Sequence, residues 1–172
     1  MINWAYFPKN RKCDDMSLKI IEAFKNNENL IDSNSHKYKS DKVLSIVCND
    51  LEAIGFNVEK GKKKGEKVVM PVLYGINGVV EKTFEVDAYN PDYNYVVEIE
   101  AGRGYANNQF LKDFFEATSM DEVDRLCIAV RNIYVTSDNS SKDFEKVCKF
   151  FESMYVSGRL GIPLTSILII GY

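Results

Sequence analysis

Helical and strand periodicities alternate along the chain, and two runs that are apolar on both faces follow helical segments. No linker or repeat divides the sequence. Together these observations predict one α/β domain over residues 1–172, with a mixed central β-sheet flanked by helices.

The elements follow in order. Asp14 and Asp15 precede Leu18, Ile20, Ile21 and Phe24, whose spacing with acids at its start predicts a short amphipathic helix ended by Asn26-Asn27-Glu28-Asn29. Ser40 is the expected N-cap of a second helix over residues 41–54, where Val43, Leu44, Val47, Leu51 and Ile54 repeat at helical spacing until Gly55. From Phe56 the period changes to that of strands, through Val58 and Val68-Val69-Met70-Pro71-Val72-Leu73-Tyr74, with a turn at Gly75-Ile76-Asn77-Gly78. Residues 83–88 and 95–100 then read as two strands of an antiparallel hairpin broken at Asn90-Pro91-Asp92. Asn107 or Asn108 caps a helix carrying Phe110, Leu111, Phe114 and Phe115. Residues 125–131 form a strand apolar on both faces, Phe144 to Tyr155 a helix, and Ile167 to Ile170 a last buried strand.

Composition narrows the function. The chain is 45% hydrophobic and 27% charged with a formal net charge of −3, which argues against a uniformly basic nucleic-acid surface. Two local basic stretches stand out nonetheless: Lys37, Lys39 and Lys42, and Lys60, Lys62, Lys63, Lys64 and Lys67. The strongest apolar run, Leu164 to Ile170, is too short to span a bilayer, and Met1 to Lys9 lacks the basic and apolar regions of a signal peptide, so the expected location is the cytoplasm. Cys13, Cys48, Cys127 and Cys148 are far apart with no C-x-x-C pair, as expected of free thiols. His36 is the only histidine and lies in a polar loop, so any histidine-based dyad or zinc site would depend on it alone.

The chemistry is expected in the acids. Residues two apart in a strand share a face, so Glu98 and Glu100 project together while Val97 and Ile99 enter the opposite layer. A hairpin closed around residues 90–94 brings Asp87 laterally beside Glu98. Three converging carboxylates repel one another unless protons, basic partners or a hard cation offset the repulsion. Magnesium suits such a set, with the Ile99 carbonyl between the two glutamates as a further oxygen donor. The competing reading of Glu98 and Glu100 is a solvated face paired with lysines.

These residues resemble the PD-(D/E)xK restriction-endonuclease-like superfamily, whose motif is an acid on one strand followed by acid-x-lysine on the next. Glu85-Val86-Asp87 and Glu98-Ile99-Glu100 look like that hairpin, within a resemblance covering roughly residues 40–132. Two positions depart from the pattern. Val86 precedes Asp87, and Glu100 replaces the usual lysine, as in the acid-x-acid variant of the BamHI/BglII-like branch. The resemblance implies a restriction-endonuclease-like fold and a Mg²⁺-dependent (or Mn²⁺-dependent) endonuclease acting on DNA. In it Asp87 and Glu98 would ligate the metal, and Glu100 would bind metal or activate water. It also implies a fourth acid from the N-terminal helix; Asp50 falls inside that helix's apolar arc whereas Glu52 points away, which favours Asp50.

Around the acids, Arg103 is placed either to contact a phosphate or to pair with Glu100, and Asn107, Asn108 and Lys112 open a helix whose N-terminus favours anions. Tyr89, Tyr93, Tyr95 and Tyr105 stand nearby as stacking or structural aromatics. A homodimer would suit cleavage of both strands of a duplex. Two other functions compete. One is an inactive nucleic-acid- or protein-binding module of the same fold. The other, a glycosidase using paired carboxylates, is disfavoured by the single indole, Trp4.

Overall fold

The computed structural model describes residues 1–102, 105, 107–135 and 140–172. It begins with a strand the periodicity does not announce, β1 (Asn3–Phe7). Asp14 then caps α1 (Asp15–Asn26), its Oδ1 accepting from Ser17 N at 2.8 Å, which satisfies one of the free amides of the first turn. A single turn, α2 (Glu28–Ile31), leads to α3 (Ser40–Ala53). Ser40 is the first helical residue rather than its cap, a position taken by Lys39. Gly55, at φ +93°, lets the chain leave α3, a conformation that L side chains rarely adopt.

The strands that follow divide between two sheets. β2 (Asn57–Val58) belongs to the central sheet, whereas β3 (Val68–Tyr74) and β4 (Val80–Val86) pair only with each other around a 3₁₀ turn at Ile76–Gly78. Of residues 80–90, it is β5 (Ala88–Asn90) that pairs with β6 (Tyr95–Glu100), antiparallel and in the register Ala88 opposite Val97. The expected hairpin of residues 83–88 with 95–100 is therefore corrected. Its first strand splits at Asp87, and the residues before the split go to the β3–β4 ribbon, where they extend a longer antiparallel pairing. After β6 come α4 (Gln109–Thr118), β7 (Arg125–Val130), the short pair β8 (Tyr134–Val135) and β9 (Ser140–Ser141), α5 (Asp143–Ser157), and β10 (Ser166–Gly171).

The central sheet is mixed, with the order β1-β10-β7-β6-β5-β2. β6, β7 and β10 are parallel, joined by the α4 and α5 crossovers, and antiparallel strands flank them on both sides. The period of two assigns alternate residues of β6 to opposite layers. Tyr95, Val97 and Ile99 pack with Ile20 and Phe24 of α1 and Val47 and Leu51 of α3. Val96 packs with Phe110, Phe114 and Phe151 of α4 and α5. β7 and β10 are buried on both faces, as doubly covered strands require.

All four cysteines are free thiols. His36 is of intermediate exposure and stacks on Tyr38 with ring centroids 4.8 Å apart. Among the described residues no helix is long and apolar enough to cross a membrane.

Candidate functional site

Asp87 occupies the point where the two sheets part. β4 ends one residue before it and β5 begins one residue after it, so Ile99 N, which points toward the departed strand, has no backbone carbonyl opposite. Asp87 supplies the acceptor instead, through Oδ2 at 2.7 Å. Reciprocally, Asp87 N donates to Glu98 Oε2 at 3.4 Å. Because the N–H and C=O of a strand residue point to the same side, the Ile99 carbonyl faces this edge as well. The structure thus brings Asp87 and Glu98 together as the strand geometry predicts, and Glu100 follows on the same face.

The sequence reading missed a fourth acid, Asp113, which α4 carries onto this face. α4 packs on β6 and β7, and Asp113 is only 6% exposed. Its Oδ2 is buried and has no hydrogen-bond partner, while its carboxyl lies within hydrogen-bond reach of Glu100. The signal was present in the spacing: Phe110, Asp113, Phe114 and Ala117 are the buried face of α4, at i, i+3, i+4 and i+7.

The four carboxyls disturb one another. Burial pushes Asp87 up to about 7, reinforced by the charges of Glu59, Glu100 and Asp41 and opposed by the bond from Ile99 N. Burial, then the charges of Asp87 and Asp113, drives Glu98 far above the usual carboxylate range. Glu100 is raised by burial, against the hydrogen bond from Asp113 and the charge of Lys112. Asp113 rises to about 8, again by burial first and then by the charge of Glu100. Such a set holds protons near neutrality unless a cation takes their place.

Through Glu100 the cluster reaches a cleft of about 660 Å³ at the carboxyl ends of β6 and β7, where open α/β sheets commonly bind ligands. Glu100, Ala101 and Gly102 form one wall, with Asn107 and Gln109 beside them; Lys37, Lys39, Lys62 and Arg131 bring positive charge from other elements. The two basic stretches of the sequence thus converge here. Part of that charge is neutralised, since Lys62 pairs with Asp41 at 3.8 Å.

The other expected site residues are placed as follows. Asp50 is tied to Asn26 and Asn27, whose amides donate to its carboxylate at 3.1 and 2.9 Å; these bonds hold it below its usual pKa. The acid of α3 whose charge reaches Asp87 is Asp41, in the first turn. Asn107 and Asn108 are exposed, and Asn108, at φ +55°, occupies the N-cap of α4 without a side-chain capping bond. Lys112 pairs with Glu116 at 3.2 Å. Arg103 lies outside the described residues. Of the nearby tyrosines, Tyr95 is buried with its hydroxyl 2.8 Å from that of Ser17, Tyr89 donates to Glu122 O at 3.1 Å, Tyr105 stacks on Phe110, and Tyr93 is exposed.

As donors, the four carboxyls fit a hard divalent cation, being oxygen ligands crowded against their own repulsion. As an arrangement they are not a closed shell. Among the described residues no group of three or more His, Cys, Asp or Glu side chains is disposed to hold a metal ion. Asp87 and Glu98 each spend an oxygen on a backbone amide. No family model, curated protein or solved structure matches this chain, so function is read from the carboxyl cluster and its basic cleft themselves.

Proposed function

We propose that the protein is a Mg²⁺-dependent nuclease that hydrolyses DNA phosphodiester bonds, on a restriction-endonuclease-like fold of the acid-x-acid kind. The observation that carries this reading is the set of four carboxyls with raised pKa values, of which Glu100 reaches the wall of a cleft lined by Lys37, Lys39, Lys62 and Arg131. Carboxyls alone would repel a phosphodiester, and lysines alone would bind one without reacting. Their adjacency suits an anion that must be gripped and attacked at one place. The element order supports the fold assignment: a helix, three antiparallel strands carrying the motif, a crossover helix and a parallel strand.

In this reading the lysines and Arg131 position the backbone of the nucleic acid, and Asn107 with Gln109 contacts sugar or base edges. Asp87 fixes the strand edge through Ile99 and so sets the direction of Glu98. Glu100, at the cleft wall, would bind the metal or activate water. A bound Mg²⁺ or Mn²⁺ would be held by this carboxyl set and would supply polarisation of the phosphoryl group and a lowered water pKa. The free thiols suit a reducing cytoplasm, and two copies of the chain would cut the two strands of a duplex.

A second reading is favoured by one observation. The amide bonds of Asp87 and Glu98 are what a structural acid pair would make, which suits an inactive binding module of the same fold. Incubation of supercoiled, linear and single-stranded DNA with Mg²⁺, Mn²⁺ or EDTA separates the two. The nuclease nicks DNA in either metal and not in EDTA, with Asp87→Ala and Glu98→Ala slower by at least about a hundredfold. DNA binding without metal-dependent cleavage would leave only the module.

A further inference from the structure

We propose that Glu100 and Asp113, rather than Asp87 and Glu98, are the principal holders of the divalent cation, which makes Asp113 of α4 a ligand of the site. This rests on the nuclease reading above and assigns its cation to particular side chains.

The two pairs of acids differ in what they already hold. Asp87 Oδ2 accepts from Ile99 N, and Glu98 Oε2 accepts from Asp87 N, so each has a task in the sheet edge. Asp113 has none. It is 6% exposed, its Oδ2 is buried without a hydrogen-bond partner, and it is turned toward Glu100 on the acid-bearing face of β6. A buried acceptor in that condition is unfavourable in the fold, and a helix with leucine or phenylalanine there would pack without the penalty. The adjacent Lys112 does not relieve it by direct pairing, since its ammonium is on Glu116 at 3.2 Å.

Two carboxyls are enough for the proposed ion. Magnesium keeps several waters and is commonly bound through one or two carboxylates with the remaining positions given to substrate phosphates. Glu100 lines the cleft, so those positions open toward Lys39, Lys62 and Arg131, where a phosphate would lie.

The test is a Mn²⁺ titration followed by electron paramagnetic resonance on the full chain, alone and with a DNA oligonucleotide. Wild type, Asp113→Asn, Glu100→Gln and Glu98→Gln are compared, and circular dichroism melts show that each is folded. The expected result is at least about tenfold weaker Mn²⁺ binding for both Asp113→Asn and Glu100→Gln, with a smaller loss for Glu98→Gln. Glu100→Gln, on the cleft side, repeats the test without disturbing the buried face of α4. Wild-type affinity in Asp113→Asn together with loss in Glu98→Gln overturns the assignment while leaving a cation-dependent nuclease standing. No Mn²⁺ binding by wild type under either condition overturns the assignment too, and DNA cleavage in Mg²⁺ then decides the nuclease reading separately.

Discussion

Asp113 and Asp87 show two fates of an acid at a sheet edge. Asp87 replaces a missing strand neighbour, whereas Asp113 is buried by its helix without a partner for Oδ2. The difference has a measurable consequence. Asp113 has a folded pKa raised to about 8 from an ordinary 3.8, so the folded state binds more protons than the unfolded one between those values. Its contribution is therefore least unfavourable at low pH and worsens as pH rises toward 8. Asparagine at this position has no such titration, and its amide can donate to Glu100. In EDTA at pH 8, Asp113→Asn is expected to be more stable than wild type by about 1–3 kcal/mol, or about 2–4 °C in melting temperature for each kcal/mol. The gain should shrink toward pH 4. Calorimetric melts across this range check it, and a variant less stable than wild type at pH 8 would mean that the hydrogen bond between Asp113 and Glu100 outweighs the cost of the unpartnered Oδ2. The sequence contained the needed signal, since Asp113 keeps the spacing of Phe110, Phe114 and Ala117. Asp50 had a similar apparent placement, yet its neighbours Asn26 and Asn27 arrive from α1, and no periodicity within α3 reports them.

At the scale of elements, helices were the most legible, because one face of a helix is written in local spacing. The predicted helices correspond to α1, α3, α4 and α5, and Gly55 and Gly158, both at positive φ, stand just beyond α3 and α5. Strand pairing was less legible because partners are chosen across the chain. β1 shows no alternation and is defined by its antiparallel contact with β10. The break at Asp87 depends on where β4 finds a longer partner in β3 than in β6. The docking of α5 has its own test. Phe151 is fully buried and lies within 5.5–6.1 Å, ring to ring, of Phe7, Phe110, Phe114 and Phe150. Phe151→Ala should cost about 3–5 kcal/mol in urea unfolding, by lost burial and the cavity left between helix and sheet. A cost below about 1 kcal/mol would contradict this packing.

Across the whole molecule, the net charge of −3 hides an uneven distribution. Lys37 and Lys39 come from the segment before α3 and Lys62 from the β2–β3 connection, and they meet Arg131, just past the end of β7, around one cleft. This convergence was not legible in the sequence, which places the two lysine stretches some twenty residues apart and Arg131 far beyond them. The carboxyl face was legible as far as Asp87, Glu98 and Glu100, through the strand period, and it is completed by a helix that crosses from β6 to β7. The central claim is that this assembled face is a cation site whose acids carry protons until the ion arrives. With Asp87 raised to about 7 and Asp113 to about 8, an ion bound at pH 7 must displace protons. Mg²⁺ titration calorimetry at pH 7 in two buffers of different ionisation enthalpy measures this directly. The account predicts saturable binding with a net release of protons per ion, lost when Glu100 and Asp113 are both amidated; heats that show no binding, or binding with no proton release, would contradict it.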